Sequence, residues 1–175
     1  MRAETEKTVG QGVTAGAVDW DAVYARHAPA LLGYLRRLTR DLGTAEDLMQ
    51  TTFQRAITAK RRPDDSTLGP WLYRIATNLF IDRARRARRL RFVRFLGTEQ
   101  SPDVTPSGTE AVREALRAIA PDLAVTLVLR LHESFSRADI ATMTRVSERT
   151  VKWRLEQGRI AFAAAYARIE AADRG

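Results

Sequence analysis

Apolar residues between positions 20 and 57 recur at steps of three and four, the spacing that places them on one face of an α-helix. From Trp20 this spacing predicts a first helix. Thr44 with Asp47 three positions later resembles a capping box and predicts the start of a second helix. We expect both helices to pack through their apolar faces, formed by Tyr24, Ala28, Leu31, Leu35, Leu38, Ala45, Leu48, Met49, Phe53 and Ile57.

A polar loop and a third helix are predicted next. Residues 60–69, KRRPDDSTLG, interrupt the helical spacing with proline, serine, glycine and an acidic pair. That pair, Asp64 and Asp65, is expected to balance the neighbouring Lys60, Arg61 and Arg62. Pro70 suits the first turn of a helix, because the N–H that proline lacks has no partner there. The inner face of this helix is expected to hold Leu72, Ile75, Ala76 and Leu79, with Arg83 at its end.

Helical spacing returns at residue 109. Thr109 is predicted to cap a fourth helix, and Pro121 to begin a fifth that runs through Leu131. The buried edge of the fourth helix is expected to consist of Val112, Ala115, Leu116 and Ile119. No part of the chain shows the alternating pattern of a half-buried strand. The predicted fold class is therefore all-α.

Residues 135–155, FSRADIATMTRVSERTVKWRL, predict two capped helices joined by a short turn, the plan of a helix-turn-helix. Ser136 with Asp139 is expected to cap the first helix, and Ser147 the second. Such turns usually contain glycine, because the backbone needs a positive φ. Arg145 occupies that position here, at a cost on the order of 1 kcal/mol. The helices would be held together by Ile140, Ala141, Val146, Val151 and Leu155.

The two helical regions are predicted to be separate small domains. Residues 97–108, GTEQSPDVTPSG, combine two prolines and two glycines without apolar spacing, which is typical of a flexible linker. Residues 1–18 mix charge and glycine and are expected to form a disordered tail. We therefore predict one domain at 19–96 and a helix-turn-helix domain at 109–175.

Positive charge is concentrated in the first domain. The chain carries a net charge of +8, and residues 20–96 hold 16 Lys/Arg against 7 Asp/Glu, while residues 109–175 hold 11 against 9. Residues 82–91, DRARRARRLR, contain six arginines. Like charges at this density repel one another on a helix, and a polyanion would relieve the repulsion and release counterions. An acidic partner is expected: nucleic acid, an anionic membrane surface or an acidic protein.

Composition excludes several kinds of chemistry. The chain has no cysteine, so disulfides, thiolate metal sites and cysteine nucleophiles are excluded. Two histidines, His27 and His132, are too few for a multi-histidine metal site, and no P-loop is present. No apolar run reaches the length of a signal peptide or a membrane span. We predict a cytoplasmic protein that is not an enzyme, holds no metal or cofactor and does not insert into a membrane.

Two surfaces are candidates for DNA contact. The exposed side of the last predicted helix suits a major groove, where arginine forms a bidentate pair with guanine; its residues are Glu148, Arg149, Lys152, Trp153 and Arg154. The alternative is an ordinary helical hairpin with a solvated charged face. Upstream, Trp71, Tyr73 and Phe80 lie close to arginines, a combination that can hold unstacked bases. The alternative is that Trp71 and Phe80 are core residues, and this role is expected for Phe80.

Three segments in this order resemble bacterial RNA polymerase sigma factors of the extracytoplasmic-function (ECF) group. They are YARHAPALLGYLRRLTRDLGTAEDLMQTTFQRA (24–56), GPWLYRIATNLFIDRARR (69–86) and SRADIATMTRVSERTVKWRL (136–155). The resemblance covers about residues 20–95 and 109–168. It implies a protein that binds core RNA polymerase and directs it to promoters.

The resemblance also implies a role for each segment. Docking on the polymerase β′ clamp is implied for Asp47, Gln50 and Phe53. Capture and melting of the −10 element are implied for the 60–69 loop, with Lys60 and Arg61, and for Trp71, Arg74 and Asn78. The same helix would then reach upstream duplex DNA through Arg85, Arg86, Arg88 and Arg89. Reading of the −35 element is implied for Ser147, Glu148, Arg149, Thr150, Lys152, Trp153 and Arg154.

The implied partners are core RNA polymerase, through its β′ clamp and β flap, promoter DNA and a cognate anti-sigma factor. The protein would associate with the nucleoid through polymerase. Several positions depart from the family pattern and bear on −35 recognition: Arg145, Trp153, EQG at 156–158, Thr51 and the weakly matching IAPDLAVT. The alternative function is a stand-alone helix-turn-helix regulator, which would bind DNA without polymerase, usually as a dimer.

Overall fold

The computed structural model describes residues 18–93 and 108–173, which form seven α-helices and no strand. The helices are α1 (Trp20–Leu38), α2 (Leu42–Ile57), α3 (Asp65–Val93), α4 (Gly108–Ala118), α5 (Pro121–Leu131), α6 (Arg137–Thr144) and α7 (Glu148–Asp173). The all-α prediction is confirmed. The tail predicted at 1–18, apart from its last residue, and the linker predicted at 97–108, apart from Gly108, lie outside the described residues.

Helices α1, α2 and α3 pack around an apolar core. Tyr34 is fully buried in it, and its hydroxyl lies 2.8 Å from Thr77 Oγ1 on α3. Leaving a buried hydroxyl unpaired costs about 1–3 kcal/mol, so this pair matters to the α1–α3 contact. The prediction of burial is wrong for two residues, since the side chains of Tyr24 and Ile57 are 45% and 46% exposed. Val23 is buried where Tyr24 was expected, and Ile57 is the last residue of α2.

Three predicted helix starts are displaced. The N-cap of α2 is Asp41, whose carboxylate accepts hydrogen bonds from the Thr44 backbone N–H at 2.7 Å and its hydroxyl at 2.9 Å. These bonds lower the pKa of Asp41. Aspartate caps as well as threonine, so the earlier residue begins the helix. Helix α3 begins at Asp65, which places Pro70 in the second turn, and α4 begins one residue before Thr109.

Helices α4 to α7 form the second half of the described chain, with α7 packed against the other three. Helix α5 has the predicted bounds, with Pro121 at its first position. Gly158 of α7 lies so close to α5 that a Cβ there would be 3.1 Å from Leu127 Cγ. Gly158, the last residue of the EQG segment at 156–158, therefore allows α7 to pack closely on α5. Val112 is 40% exposed instead of buried, and Ala111 is buried in its place.

The predicted local geometry of the α6–α7 turn is confirmed. Ser136 Oγ accepts a hydrogen bond from the Asp139 N–H at 3.1 Å, and the Asp139 carboxylate accepts one from the Ser136 N–H at 3.0 Å. Arg145 has the expected positive φ, 56°. Ser147 Oγ accepts a bond from the Thr150 N–H at 3.1 Å. The predicted joining residues are buried or half-buried: Ile140, Ala141, Val146, Val151 and Leu155.

The two halves pack against each other. Helix α3 contacts α5 and α6, α1 contacts α4 and α5, and one apolar cluster extends through both halves. The rings of Tyr73 and Phe135 meet edge to face with centroids 5.0 Å apart. Arg117 Nη1 of α4 donates to the Thr39 carbonyl at 3.3 Å. Apolar spacing predicted which helix faces are buried, but not that some of them cover the other half.

Candidate nucleic-acid interface

Helix α3 carries most of the residues predicted to act at the −10 element. It is a single helix of 29 residues, about 44 Å long at 1.5 Å per residue. Trp71, Arg74 and Asn78 are spaced by three and four, so they lie on one side of it, and all three are half-buried. The same side continues through Arg85 and Arg89. The structure therefore places the face formed by Trp71, Arg74 and Asn78 and the arginine run on one continuous helix.

The arginines of α3 differ in what they contact. Arg83 donates to Thr44 Oγ1 on α2 at 3.2 Å, and Arg85 lies 3.4 Å from the Asp122 carboxylate on α5. Three others are exposed and form no ion pair with any residue that the structure describes. We call these three the arginine patch: Arg86, Arg88 and Arg89. Among the side chains of the run that the structure describes, the patch is the part that is open to a polyanion.

The loop between α2 and α3 is shorter than predicted, spanning residues 58–64. Lys60 and Arg61 are exposed in it. Asp65, the first residue of α3, lies 3.4 Å from Arg26 Nη1 on α1. Asp65 therefore pairs with a neighbouring helix and not with the basic residues of its own loop, which corrects that prediction. Lys60 and Arg61 are left facing solvent.

The predicted polymerase-docking residues on α2 are of two kinds. Asp47 and Gln50 are exposed and lie three residues apart on one face. Phe53 is only 5% exposed, and its ring centroid lies 4.8 Å from that of Tyr24. Asp47 and Gln50 can therefore contact a partner directly. Phe53 can act only by supporting the helix behind them.

The first turns of α7 present polar and aromatic side chains to solvent. Glu148, Arg149, Lys152 and Trp153 are exposed, and Trp153 is 56% exposed. The Ser147 and Thr150 hydroxyls lie 2.9 Å apart and bond to each other. Four residues of the predicted −35 set thus form an open surface, and the two hydroxyl residues stabilise the start of the helix.

Arg154 points away from that surface. Its side chain is 14% exposed, and its Nη2 lies 3.9 Å from Asp122 Oδ1 on α5. Asp122 also contacts Arg85 of α3. One carboxylate thus holds an arginine predicted to act at the −10 element and another predicted to act at the −35 element. No sequence signal indicated this, since Arg85 and Asp122 are 37 positions apart.

Glu133, in the turn after α5, is a second acidic residue that the sequence did not single out. Its carboxylate accepts a hydrogen bond from the Tyr73 hydroxyl at 2.6 Å and lies 3.8 Å from Arg37 Nη1. Burial raises the pKa of Tyr73, and the hydrogen bond to Glu133 raises it further. Tyr73 therefore remains a neutral donor, and its predicted role in base stacking is not available while Glu133 holds it.

A groove of about 720 Å³ lies between α1 and the helices of the second half. Its apolar lining includes Leu116, Leu127, Val128, Leu131 and Phe162, and its rim includes Arg36, Arg37, Arg113 and Arg159. Arg36 and Arg159 form no ion pair within the part of the chain that the structure describes. The groove combines apolar surface with uncompensated positive charge.

Two further kinds of site are absent from residues 18–93 and 108–173. No group of three or more His, Asp or Glu side chains there is arranged to hold a metal ion. No helix within those ranges has both the length and the apolar character needed to cross a membrane.

Comparison with known proteins accounts for this arrangement. Sigma-70 region 2 matches residues 23–90, from α1 to the arginine patch. The RNA polymerase sigma factor CarQ of Myxococcus xanthus is 31% identical over 151 residues, covering 82% of this chain and 87% of that protein. The ECF sigma factor SigL of Mycobacterium tuberculosis is 32% identical over 143 residues, covering 77% and 81%.

The fold is shared with a solved structure as well. The sigma factor RpoE of Bartonella quintana, crystallised with the anti-sigma factor NepR, superposes with a TM-score of 0.69 at 23% identity, covering 84% of this chain and 96% of that one. The two relatives are matched over most of their own length, and the solved structure shares the helical fold described above. The chain therefore belongs to the ECF group of RNA polymerase sigma factors, the proteins that bind core RNA polymerase and direct it to promoters.

Proposed function

We propose that the two halves of this sigma factor act on different promoter elements. Residues 19–96 bind core polymerase and the −10 element, and residues 109–175 bind the −35 element. The observation that carries the proposal is the continuity of α3, which joins the Trp71–Asn78 face to the arginine patch. Polymerase holds both halves, so two weak DNA contacts add through effective concentration.

At the −10 element the first half holds separated strands. Unstacking a base costs a few kcal/mol, and stacking it on an aromatic ring returns about 1–3 kcal/mol. Trp71 is half-buried, so one part of its ring is fixed while another part stays open to a base. Arg74 and Asn78 follow on the same side of α3 and donate hydrogen bonds to the strand. Lys60 and Arg61 close the site from the loop.

The arginine patch binds the phosphates of the duplex next to the opened region. Its three guanidinium groups are exposed and free of ion pairs within the described residues. Each phosphate neutralised releases a counterion, so the contact contributes affinity without base preference. The patch therefore stabilises an opened promoter whatever its upstream sequence is.

The exposed start of α7 reads the −35 element in the major groove. Arg149 offers the fork that pairs with guanine, and Glu148 can accept from the cytosine amino group. Lys152 neutralises phosphate. Trp153 supplies an exposed apolar surface that suits a thymine methyl group. A base pair read by Arg149 is expected to contribute about 1–3 kcal/mol of discrimination.

Helix α2 docks on the polymerase clamp through its outer face. Asp47 and Gln50 make the contact, and the buried Phe53 keeps α2 in place against α1. Because α2 and α3 pack together, docking of α2 also orients the −10 face of α3. The sigma factor supplies recognition, and the chemistry of RNA synthesis belongs to polymerase.

An anti-sigma factor is proposed to bind in the groove between the halves. Apolar lining with an arginine rim suits an amphipathic helix whose polar face is acidic. The similarity in fold to RpoE of Bartonella quintana, which was crystallised with an anti-sigma factor, supports a partner of this kind. Charge reversal at Arg36 and Arg159 should weaken capture of such a partner from the native host. Unchanged capture would exclude the groove.

The division of labour is tested by run-off transcription with purified core polymerase. A triple variant, Arg86→Ala, Arg88→Ala and Arg89→Ala, should form at least tenfold fewer open complexes on duplex promoters at moderate salt, because three phosphate contacts are lost. On a promoter whose −10 region is already unpaired, the loss should be smaller. Measuring open complexes on both templates distinguishes a defect in strand opening from a defect in DNA binding.

The matched control removes the same charge elsewhere. Arg40→Ala, Arg159→Ala and Arg168→Ala replace three exposed arginines outside α3. This control should initiate like the unaltered protein. Equal losses in the two triple variants would show that only net charge matters. Tight promoter binding without polymerase would instead favour a stand-alone regulator.

A further inference from the structure

The start of α1 supports the loop between α2 and α3. Asp19 caps α1, and its carboxylate accepts hydrogen bonds from the Asp21 and Ala22 N–H groups, both at 3.1 Å. Trp20, the first residue of the helix, is thereby held in place, and its half-buried ring packs against the apolar core. The Arg62 guanidinium of the loop lies over that ring, 5.4 Å from its centroid. We call Trp20 and Arg62 the loop support.

The loop support is the directional contact in the middle of the loop. Among the residues that the structure describes, none forms a hydrogen bond or ion pair with residues 60–63. On one side of them the Ala59 N–H donates to the Ala56 carbonyl at 3.4 Å, and on the other the Thr67 N–H donates to the Asp64 carbonyl at 3.0 Å. The residues between these bonds are therefore held in one direction by the ring of Trp20.

Two more contacts from α1 fix the end of the loop and the start of α3. Arg26 Nη1 lies 3.4 Å from the Asp65 carboxylate, and a Cβ on Gly69 would lie 3.3 Å from His27 Cε1. Because Gly69 lies shortly before the Trp71–Asn78 face, α1 also fixes where that face begins. Contacts of this kind at the surface are individually weak. Three of them from one helix leave the segment little freedom.

We propose that Trp20 is a positioning residue for the −10 element, because its ring holds Arg62 and so keeps Lys60 and Arg61 directed at the separated strand. This inference rests on the proposed binding of the −10 element by the loop. A loop that is ordered before the strand arrives loses less conformational entropy on binding. It also closes the site in one fixed shape, which a wrong base fits less well. The loop support therefore contributes to both affinity and base discrimination.

The first measurement is the affinity of the holoenzyme for single-stranded DNA. The probe is a fluorescent non-template strand with the −10 element of a promoter that the holoenzyme transcribes, and the reference strand has one −10 base replaced. Trp20→Leu keeps an apolar side chain but removes the ring, and it should weaken binding of the probe about two- to fivefold. Binding of the reference strand should weaken less, so discrimination between the strands falls. Trp20→Phe, which keeps a ring, should retain most of both.

The second measurement tests whether Trp20 acts through Arg62. Arg62→Gln removes the cation at an exposed position and should also reduce discrimination. Adding Trp20→Leu to Arg62→Gln should weaken binding no further, because the contact is already broken. The matched control is Tyr166→Leu, which removes another half-buried ring, stacked on Phe162 of α7 with the centroids 5.9 Å apart. This control should change neither affinity nor discrimination. Circular dichroism melts establish that each variant is folded.

The outcomes separate this inference from the proposed function. If folded Trp20→Leu binds both strands like the unaltered protein, or if the two single losses multiply in the double variant, Trp20 does not position the loop through Arg62. Equal weakening of both strands would show a loss of general affinity and would also overturn it. Should Trp20→Leu not fold, unchanged discrimination in Arg62→Gln has the same consequence. If Lys60→Ala with Arg61→Ala leaves both affinities unchanged, the proposed −10 role of the loop itself fails.

Discussion

The two halves of this sigma factor bury their helices in the same way and carry their charge differently. Residues 20–96 hold 16 basic against 7 acidic residues, and residues 109–175 hold 11 against 9. The arginine patch on α3 has no carboxylate partner among the described residues, whereas Arg154 on α7 is paired with Asp122. This contrast agrees with the proposed division, in which the first half supplies electrostatic affinity and the second half supplies base recognition.

The largest expected effect tests whether the halves are one folding unit. Leu72 and Leu129 are 1% and 0% exposed, one in each half. Replacing either by alanine should lower the free energy of unfolding by about 2–5 kcal/mol. Because a single apolar cluster joins the halves, urea unfolding followed by circular dichroism should show one transition that both variants shift.

The control for this prediction is Leu90→Ala on α3, where the side chain is 63% exposed. This variant should leave the urea concentration at the midpoint of unfolding nearly unchanged. Two resolved transitions, with Leu72→Ala shifting one and Leu129→Ala the other, would show that the halves fold independently.

A smaller effect sharpens the electrostatic contrast. Loss of the arginine patch should reduce the slope of log affinity against log salt by about 2.7, since each phosphate contact contributes about 0.9. Lys152→Ala in the second half should reduce it by about 0.9. Titration of holoenzyme onto duplex promoter DNA between low and moderate salt measures both slopes. Equal changes in the two variants would contradict the assignment of electrostatic affinity to the first half.

The smallest effect concerns the turn of the second half. Arg145 has a φ of 56°, and glycine at that position removes the steric cost while adding unfolded-state entropy. The net gain in the free energy of unfolding should be about 0.5–1 kcal/mol. Ser134→Gly, at a φ of 59°, is the matched comparison in the turn after α5. A thermal melt in which Arg145→Gly is less stable than the unaltered protein would show that this arginine makes a stabilising contact.

Local features could be predicted from the sequence because their causes lie within a few residues. The capping pair Ser136–Asp139, the proline start of α5 and the positive φ of Arg145 all depend on neighbouring backbone. Where two residues within one helical turn could both cap the helix, the prediction was wrong. Asp41 caps α2 although Thr44 was expected, because both side chains can accept an N-terminal N–H.

The burial of individual side chains was predicted less well. Periodicity marked the apolar stripe of each helix, yet Tyr24 and Val112 lie at the edges of their stripes and are exposed. Phe53 is buried, as its apolar spacing predicted, although the family resemblance implied a polymerase contact for it. The spacing of apolar residues locates the buried face of a helix to within about one residue. Whether a residue at the border of that face is buried depends on the helix packed against it.

The sequence by itself determined the seven helices, the basic character of α3 and the capped turn before α7, because these follow from spacing, composition and local backbone preference. Only the tertiary structure decided that the two halves pack together, that Asp122 holds Arg85 and Arg154, and that Glu133 accepts a bond from Tyr73. Tyr73 and Glu133 are 60 residues apart. No periodicity connects residues at that separation, so a contact between them depends on how whole helices are placed.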